Sequence, residues 1–221
     1  MNKELLNVWQ HIQELGLGAL AHANRHSAYY SFDNHMWSEL SVIQAAHAAE
    51  LLIKARIAQE HPLLIFDKLP KMSENSISIK DLFEQGKTID YSELPSRLWA
   101  CTGIVIPNKE IYDEFGKLRN GIQHFSAPSN DIDISYKTSE FIYKVIDPFI
   151  NKCWDLYALN YDEDEPYIYL TNTLIQRELL FLIPYDAAEC YEFWEINWEG
   201  INKDYKLEIE KRITEALGNK C

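Results

Sequence analysis

The sequence predicts an all-α protein, on three observations. Apolar residues recur at helical spacing in several separate stretches. Glycine and proline are scarce, eight of each in 221 residues, which disfavours a turn-rich β sandwich. Hydrophobic residues make up 47% and charged residues 25%, enough for a packed core and against wholesale disorder.

Leu5, Val8, Trp9, Ile12 and Gly16 trace a first helix, which Gly16-Leu17-Gly18 is expected to loosen or end. A longer helix is expected from about Met36 to His61, with Leu40, Ile43, His47, Leu51, Ala55 and Ala58 as its apolar stripe. His61-Pro62 stops it, because a residue before proline avoids the α region. Lys68 to Asp90 reads as a polar loop with one short helix from Ile79, and Pro95 to Ile104 as another short helix. Asn108 to Phe125 forms the next, with Asn108 as N-cap and Ile111, Phe115, Leu118, Ile122 and Phe125 as the buried stripe. Ser139 to Leu159 continues the pattern, with Ile142, Val145, Ile146, Phe149, Cys153 and Tyr157 inward and a kink at Asp147-Pro148. The acidic run Asp162–Glu165 marks a boundary, giving a helical domain over 1–157 and an acidic, aromatic extension over 158–221. Within the extension, Tyr167–Leu170 and Leu179–Ile183 fit a strand or a helix equally, and Tyr205–Leu217 fits an amphipathic helix.

No long apolar run opens the chain and no stretch of about 18 apolar residues occurs, so neither a signal peptide nor a membrane span is expected. Cys101, Cys153, Cys190 and Cys221 are scattered, and read as reduced thiols of a cytoplasmic protein. The net charge is −13, unevenly spread. Residues 1–154 carry 15 Lys+Arg against 19 Asp+Glu, residues 155–199 one Arg against 11 acids, and residues 200–221 five against four. The N-terminal two-thirds is thus only mildly acidic, and a local basic cleft there is compatible with the total.

Leu118-Arg119-Asn120-Gly121-Ile122-Gln123-His124-Phe125 is the most informative stretch. With the apolar stripe set at zero, Arg119 falls near about 80°, Gln123 near about 120°, Gly116 near about 140°, Asn120 near about 180° and His124 near about 220°. The polar cluster therefore points away from its own core, and Asn120 and His124 are i,i+4 neighbours. Gly116 leaves bare backbone on this face, a position for close approach by a partner helix or a phosphate. Histidine moves protons at neutral pH, and a guanidinium binds phosphate oxygens as a fork. RNA supplies its own nucleophile, the 2′-hydroxyl. Arg119 and His124 are thus candidate catalytic groups with Asn120 beside them. A solvated polar helix face is the competing reading.

Arg119-Asn120-Gly121-Ile122-Gln123-His124 resembles the Arg-polar-x-x-x-His motif of the HEPN superfamily (higher eukaryotes and prokaryotes nucleotide-binding). Ala45-Ala46-His47-Ala48-Ala49-Glu50-Leu51-Leu52-Ile53-Lys54-Ala55 resembles the long helix that precedes that motif, so the likeness covers about residues 36–157. It implies an antiparallel helical bundle and a homodimer whose two motifs line one cleft. It also implies a metal-independent endoribonuclease without cofactor that cleaves RNA through 2′-hydroxyl attack. Arg119 and His124 would be catalytic and Asn120 supporting, with Glu50, Lys54, Lys117 and Gln123 as further supporting groups. Many such proteins are toxins or phage-defence effectors paired with a nucleotidyltransferase antitoxin. In some pairs a tyrosine two residues after the histidine is modified, and here Ser126 stands there. The alternative is a non-catalytic module that binds nucleotide, RNA or a partner protein.

Glu50 and Lys54 also read as an ordinary i,i+4 ion pair, and His47 reads as a core histidine. His22 and His26 have metal-pair spacing but lack the glutamate of H-E-x-x-H, since Ala23 follows His22. The six Trp and thirteen Tyr read mainly as core or interface residues.

Overall fold

The computed structural model describes residues 7–69, 82, 84–124, 132–162 and 167–218. Helices dominate, as predicted. α1 (Val8–Ala28) and α2 (Trp37–Glu60) form an antiparallel hairpin. Gly16 and Gly18 do not end α1. Gly16 sits against α2, where an added Cβ would lie 2.9 Å from Leu52 Cγ, so its bareness serves helix contact rather than termination. The hairpin connection is tied by Asn34, whose carbonyl accepts from Trp37 N–H and whose side-chain oxygen accepts from Met36 N–H.

α2 is the central helix. It carries no single apolar stripe, because neighbours cover it from several sides. Val42, Ala45, Ala46, Ala49, Leu52, Ile53 and Ile57 are buried, while His47 is exposed. The expected core histidine is therefore a surface one. The six alanines of α2 let the surrounding helices approach closely; the expected stripe held Ala55 and Ala58 and missed Ala45, Ala46, Ala48 and Ala49, which are buried too. As expected, α2 stops at His61-Pro62: His61 is the extended C-cap, and its Nδ1 accepts from Leu63 N–H.

The stretch expected to be loop contains two short antiparallel strands, β1 (Phe66–Lys68) and β2 (Lys87–Thr88). They are too short to show a period of two. Their pairing returns the chain to α2. The expected helix start at Ile79 lies outside the described residues, though 82, 84 and 85 are helical. α3 (Leu94–Thr102) ends at Gly103, left-handed at φ 72°. α4 (Lys109–Gln123) begins after Asn108. Asn108 has the N-cap position but makes no side-chain cap. Its amide donates instead to the Lys144 carbonyl at 2.6 Å, which Pro148, lacking an N–H, cannot serve.

That carbonyl belongs to the irregular helix that follows. α5 (Ile134–Phe141) passes through a π-helical turn, Ile142–Ile146, into α6 (Asp147–Trp154). The irregularity expected at Asp147-Pro148 is this π-helical turn, which ends at the residue before Asp147. Ile142, Val145, Ile146 and Phe149 are buried as expected, and Cys153 and Tyr157 only partly so. α7 (Tyr167–Gln176) resolves one ambiguity in favour of helix. Leu179–Ile183 is neither helix nor strand. A short α8 (Tyr185–Glu189) and α9 (Lys203–Gly218) follow.

Residues 158–162 and 167–218 pack on the rest through one continuous apolar cluster. Polar groups fix the junction. Asn24 Nδ2 donates to the Ala158 and Tyr161 carbonyls, and its Oδ1 accepts from the Tyr143 hydroxyl. Asp147 accepts from Ala158 N–H and Leu182 N–H. Arg177 donates to the Ser27 carbonyl and to Ser139 Oγ. Among the described residues no helix is long and apolar enough to cross a membrane, and Cys101, Cys153 and Cys190 are free.

Candidate functional site

α4 packs its expected stripe on the core and buries more deeply the strip beside it that carries Tyr112 and Gly116. Tyr112, Phe115 and Gly116 are buried, while Ile111, Leu118 and Ile122 are only partly so. Phe125 lies outside the described residues. Phe115 stacks on Phe141 at 3.9 Å between ring centroids. Tyr112 stacks on Tyr91 at 4.4 Å with the rings nearly parallel. Each tyrosine hydroxyl donates to the other's carbonyl, Tyr112 at 2.8 Å and Tyr91 at 3.4 Å. Burial pushes both phenols far above their ordinary range, so they act as neutral donors.

Gly116 is a close-approach position, and what approaches is the chain itself. A Cβ there would lie 2.7 Å from Tyr91 Cε1. The ring fills the place expected for a partner helix or a phosphate.

Beside this stack opens a cleft of about 610 Å³ between α2, α4 and the turn after β2. Arg119, Asn120, Gly116 and Lys117 line it from α4, Glu50 from α2, and Asp90 and Tyr91 from the turn. The Arg119 guanidinium lies 3.9 Å from Glu50 Oε2 and 5.8 Å from the centre of the Tyr91 ring. Its Nη1 donates to Asn120 Oδ1 at 3.3 Å. Glu50 also accepts from Lys54 at 2.6 Å, and Lys54 donates to Thr88 Oγ1 at 3.0 Å. Glu50 is thus both things the sequence allowed: an i,i+4 partner of Lys54 and a wall of the cleft. Lys54 is buried behind it and touches the cleft wall through Glu50 and Thr88.

His124 is not among the residues lining this cleft. α4 ends one residue earlier, and His124 is its C-cap with φ −100° and ψ 24°. Its backbone N–H donates to the Asn120 and Gly121 carbonyls. Its ring is exposed and has no hydrogen-bond partner among the described residues. The helical angle assigned to it from the sequence does not apply beyond the last turn. Gln123 is exposed at the same end. The structure therefore brings Arg119, Asn120, Lys117, Gly116 and Glu50 together, and leaves His124 and Gln123 at the rim of the helix.

Sequence reasoning missed Tyr91, Tyr112, Thr88 and the carboxylates Asp90 and Asp113, which also line the cleft. One cue existed: Tyr112 and Gly116 are i,i+4, an aromatic one turn below bare backbone. A second, shallow groove between α1 and α2 is lined by exposed His11, His22 and His47. His22 and His26 have ring centres 6.2 Å apart, and His26 packs edge-on against Trp37. No group of three His, Cys, Asp or Glu is placed to hold a metal ion among the described residues. No family model matches the chain, and no curated protein or solved structure matches it.

Proposed function

We propose that the chain is a HEPN-type endoribonuclease acting as a homodimer, with a toxin or defence role and a nucleotidyltransferase antitoxin as the class of partner. One observation carries the reading. Arg119, the first residue of the motif, lines a cleft, oriented by Glu50 on one side and the Tyr91 ring on another. A guanidinium held this way presents its remaining N–H groups to a phosphate.

The chemistry then needs a proton acceptor, and His124 is the candidate. The 2′-oxygen attacks phosphorus, its proton passes to a neutral His124 imidazole, and the bond to the 5′-oxygen breaks. The departing oxygen takes a proton from a second acid, for which His124 of the partner subunit is the candidate. Arg119 offsets the charge that builds on the non-bridging oxygens. Because His124 stands outside the cleft of its own chain, the reading requires a second copy laid across the C-terminal end of α4.

A specific observation favours the non-catalytic alternative. Arg119 and Lys117 share the cleft with Glu50, Asp90 and Asp113. That balance gives no surplus of positive charge to gather RNA. The assay that decides is cleavage of total RNA by the purified chain. Products with 2′,3′-cyclic phosphate and 5′-hydroxyl ends, unaffected by chelator and blocked by a 2′-deoxy nucleotide at the cut site, support the enzyme. RNA that is bound but never cut hands the cleft to the binding module.

A further inference from the structure

We propose that a second surface, at the turn between α1 and α2, docks an arginine-bearing basic segment of a partner protein. The two most exposed large apolar side chains among the described residues meet there, with Met36 close by in the chain. Phe32 is 86% exposed, Tyr30 74% and Met36 59%, and Tyr30 and Phe32 meet edge-to-face at 5.1 Å. The residue before them, Tyr29, stacks on Tyr169 of α7 at 4.3 Å, and Tyr169 is itself half exposed. Aromatic rings left in water at this density mark a contact surface rather than scattered surface apolarity.

Charge selects the occupant. Asp33 is exposed within the same turn. Burial, and after it the Asp162 carboxylate, raise the Tyr29 phenol above its ordinary range, so negative charge acts on this end of the stack. Tyr169 belongs to the segment 155–199, whose one arginine, Arg177, is held by the Ser27 carbonyl and Ser139 Oγ. A phosphate backbone is repelled by such a border, and a cationic segment is attracted. The mode of contact already exists within the chain: the Arg25 guanidinium lies over the Tyr29 ring at 3.9 Å. Tyr30 and Phe32 offer further ring faces with acids beside them. Arginine stacks on such faces better than lysine does, because its planar cation is weakly hydrated. None of these aromatic residues lines the cleft of Arg119, so the surface stands whether or not that cleft cleaves RNA.

The test uses the full chain and three labelled probes: an oligo-arginine peptide, an oligo-lysine peptide of equal length, and a single-stranded oligouridylate. Affinities are read by fluorescence anisotropy at physiological salt. The arginine peptide is expected to bind more tightly than the lysine peptide. Tyr30→Ser with Phe32→Ser should weaken the arginine peptide roughly tenfold and the lysine peptide much less. Phe32→Leu, which keeps apolar bulk and removes the ring, should weaken the arginine peptide in the same direction, and decides alone if the double variant does not fold. Unchanged arginine-peptide affinity in both variants, or equal losses for the two peptides, overturns the proposal. So does oligouridylate as the probe that loses affinity, which would make the patch a nucleic-acid surface. A change in the chain's own sedimentation mass in the double variant would assign the patch to a second copy and overturn it too.

Discussion

The cleft and the C-terminal junction both hold charged groups away from bulk water, but they hold them differently. At the cleft, side chain answers side chain. Arg119 is one-quarter exposed and faces Glu50, which is committed to Lys54 behind it. At the junction, Asp147 is fully buried and accepts from two backbone N–H groups, Ala158 at 2.8 Å and Leu182 at 2.9 Å. Side chains with open space beside them can exchange one partner for a ligand. Backbone amides in a packed core cannot move aside. Changes at the cleft should therefore alter binding and chemistry with little loss of stability. Changes at the junction should do the reverse.

The largest expected effect breaks the cleft. His124→Ala should slow RNA cleavage by about 10²–10⁴-fold, the usual worth of a positioned acid or base. Arg119→Ala should fall comparably, and Arg119→Lys should recover only part, because an ammonium makes no fork. Thermal melts of all three should stay close to that of the native chain, since neither side chain is buried. Cleavage at full rate without His124 would end the enzymatic reading.

The next effect sharpens the junction. Burial pushes the Asp147 carboxyl up to about 7 from an ordinary 3.8, against the pull of its two amide donors and of Arg212. An acid raised in this way binds more protons folded than unfolded between those values. Its contribution to stability is therefore full at low pH and is lost as pH rises from about 4 to about 7. The loss is on the order of a few kcal/mol. Asp147→Asn should flatten this part of the profile, while cleavage by the folded variant should not change. Equal pH slopes for the two proteins in denaturant titrations would show that Asp147 stays ionised in the fold.

These two regions were not equally legible beforehand. The all-α class, the stop at His61-Pro62 and the irregular turn before Pro148 follow from local rules of spacing and backbone geometry. What failed depends on neighbours far along the chain. His47 lies on a stripe only if α2 has one buried face, and it has several. Gly116 looked like an open surface because nothing local announces that Tyr91 will cover it. Asn24, Asp147 and Arg177 draw most of their partners from backbone groups far along the chain, which have no signature in composition. His124 was placed by helical arithmetic that ends where the helix ends.

A smaller effect tests that covered glycine. Gly116→Ala removes the helix cost of glycine, about 1 kcal/mol, but drives a methyl into the Tyr91 ring. That ring is held by its stack on Tyr112 and by hydrogen bonds at both ends, so it cannot swing away cheaply. A net destabilisation of about 1–2 kcal/mol is expected. Cleavage should slow with it, since Tyr91 carries Arg119. Gly116→Ala with Tyr91→Ala should regain stability relative to the sum of the two single changes, a coupling readable in a double-mutant cycle. Strict additivity would mean the ring yields freely.

The smallest effect concerns Glu50, whose two roles predict different outcomes. As a staple it neutralises buried Lys54, and as a wall of the cleft it competes with any phosphate for Arg119. Glu50→Gln keeps the shape and can still accept from Lys54, so the chain should lose only about 1 kcal/mol of stability. Removing the negative charge lets a phosphate approach Arg119 and Lys117 with less repulsion. At the edge of solvent, one charge several ångströms away is worth about 0.5–1 kcal/mol. RNA affinity should therefore rise about two- to fivefold at low salt, and the gain should fade as salt is added. Turnover should fall at the same time, because Arg119 then rests on Tyr91 and Asn120 alone. A loss of stability with unchanged affinity would make Glu50 a staple for Lys54 and nothing more. Tighter binding with unchanged turnover would show that Tyr91 and Asn120 suffice to aim the guanidinium.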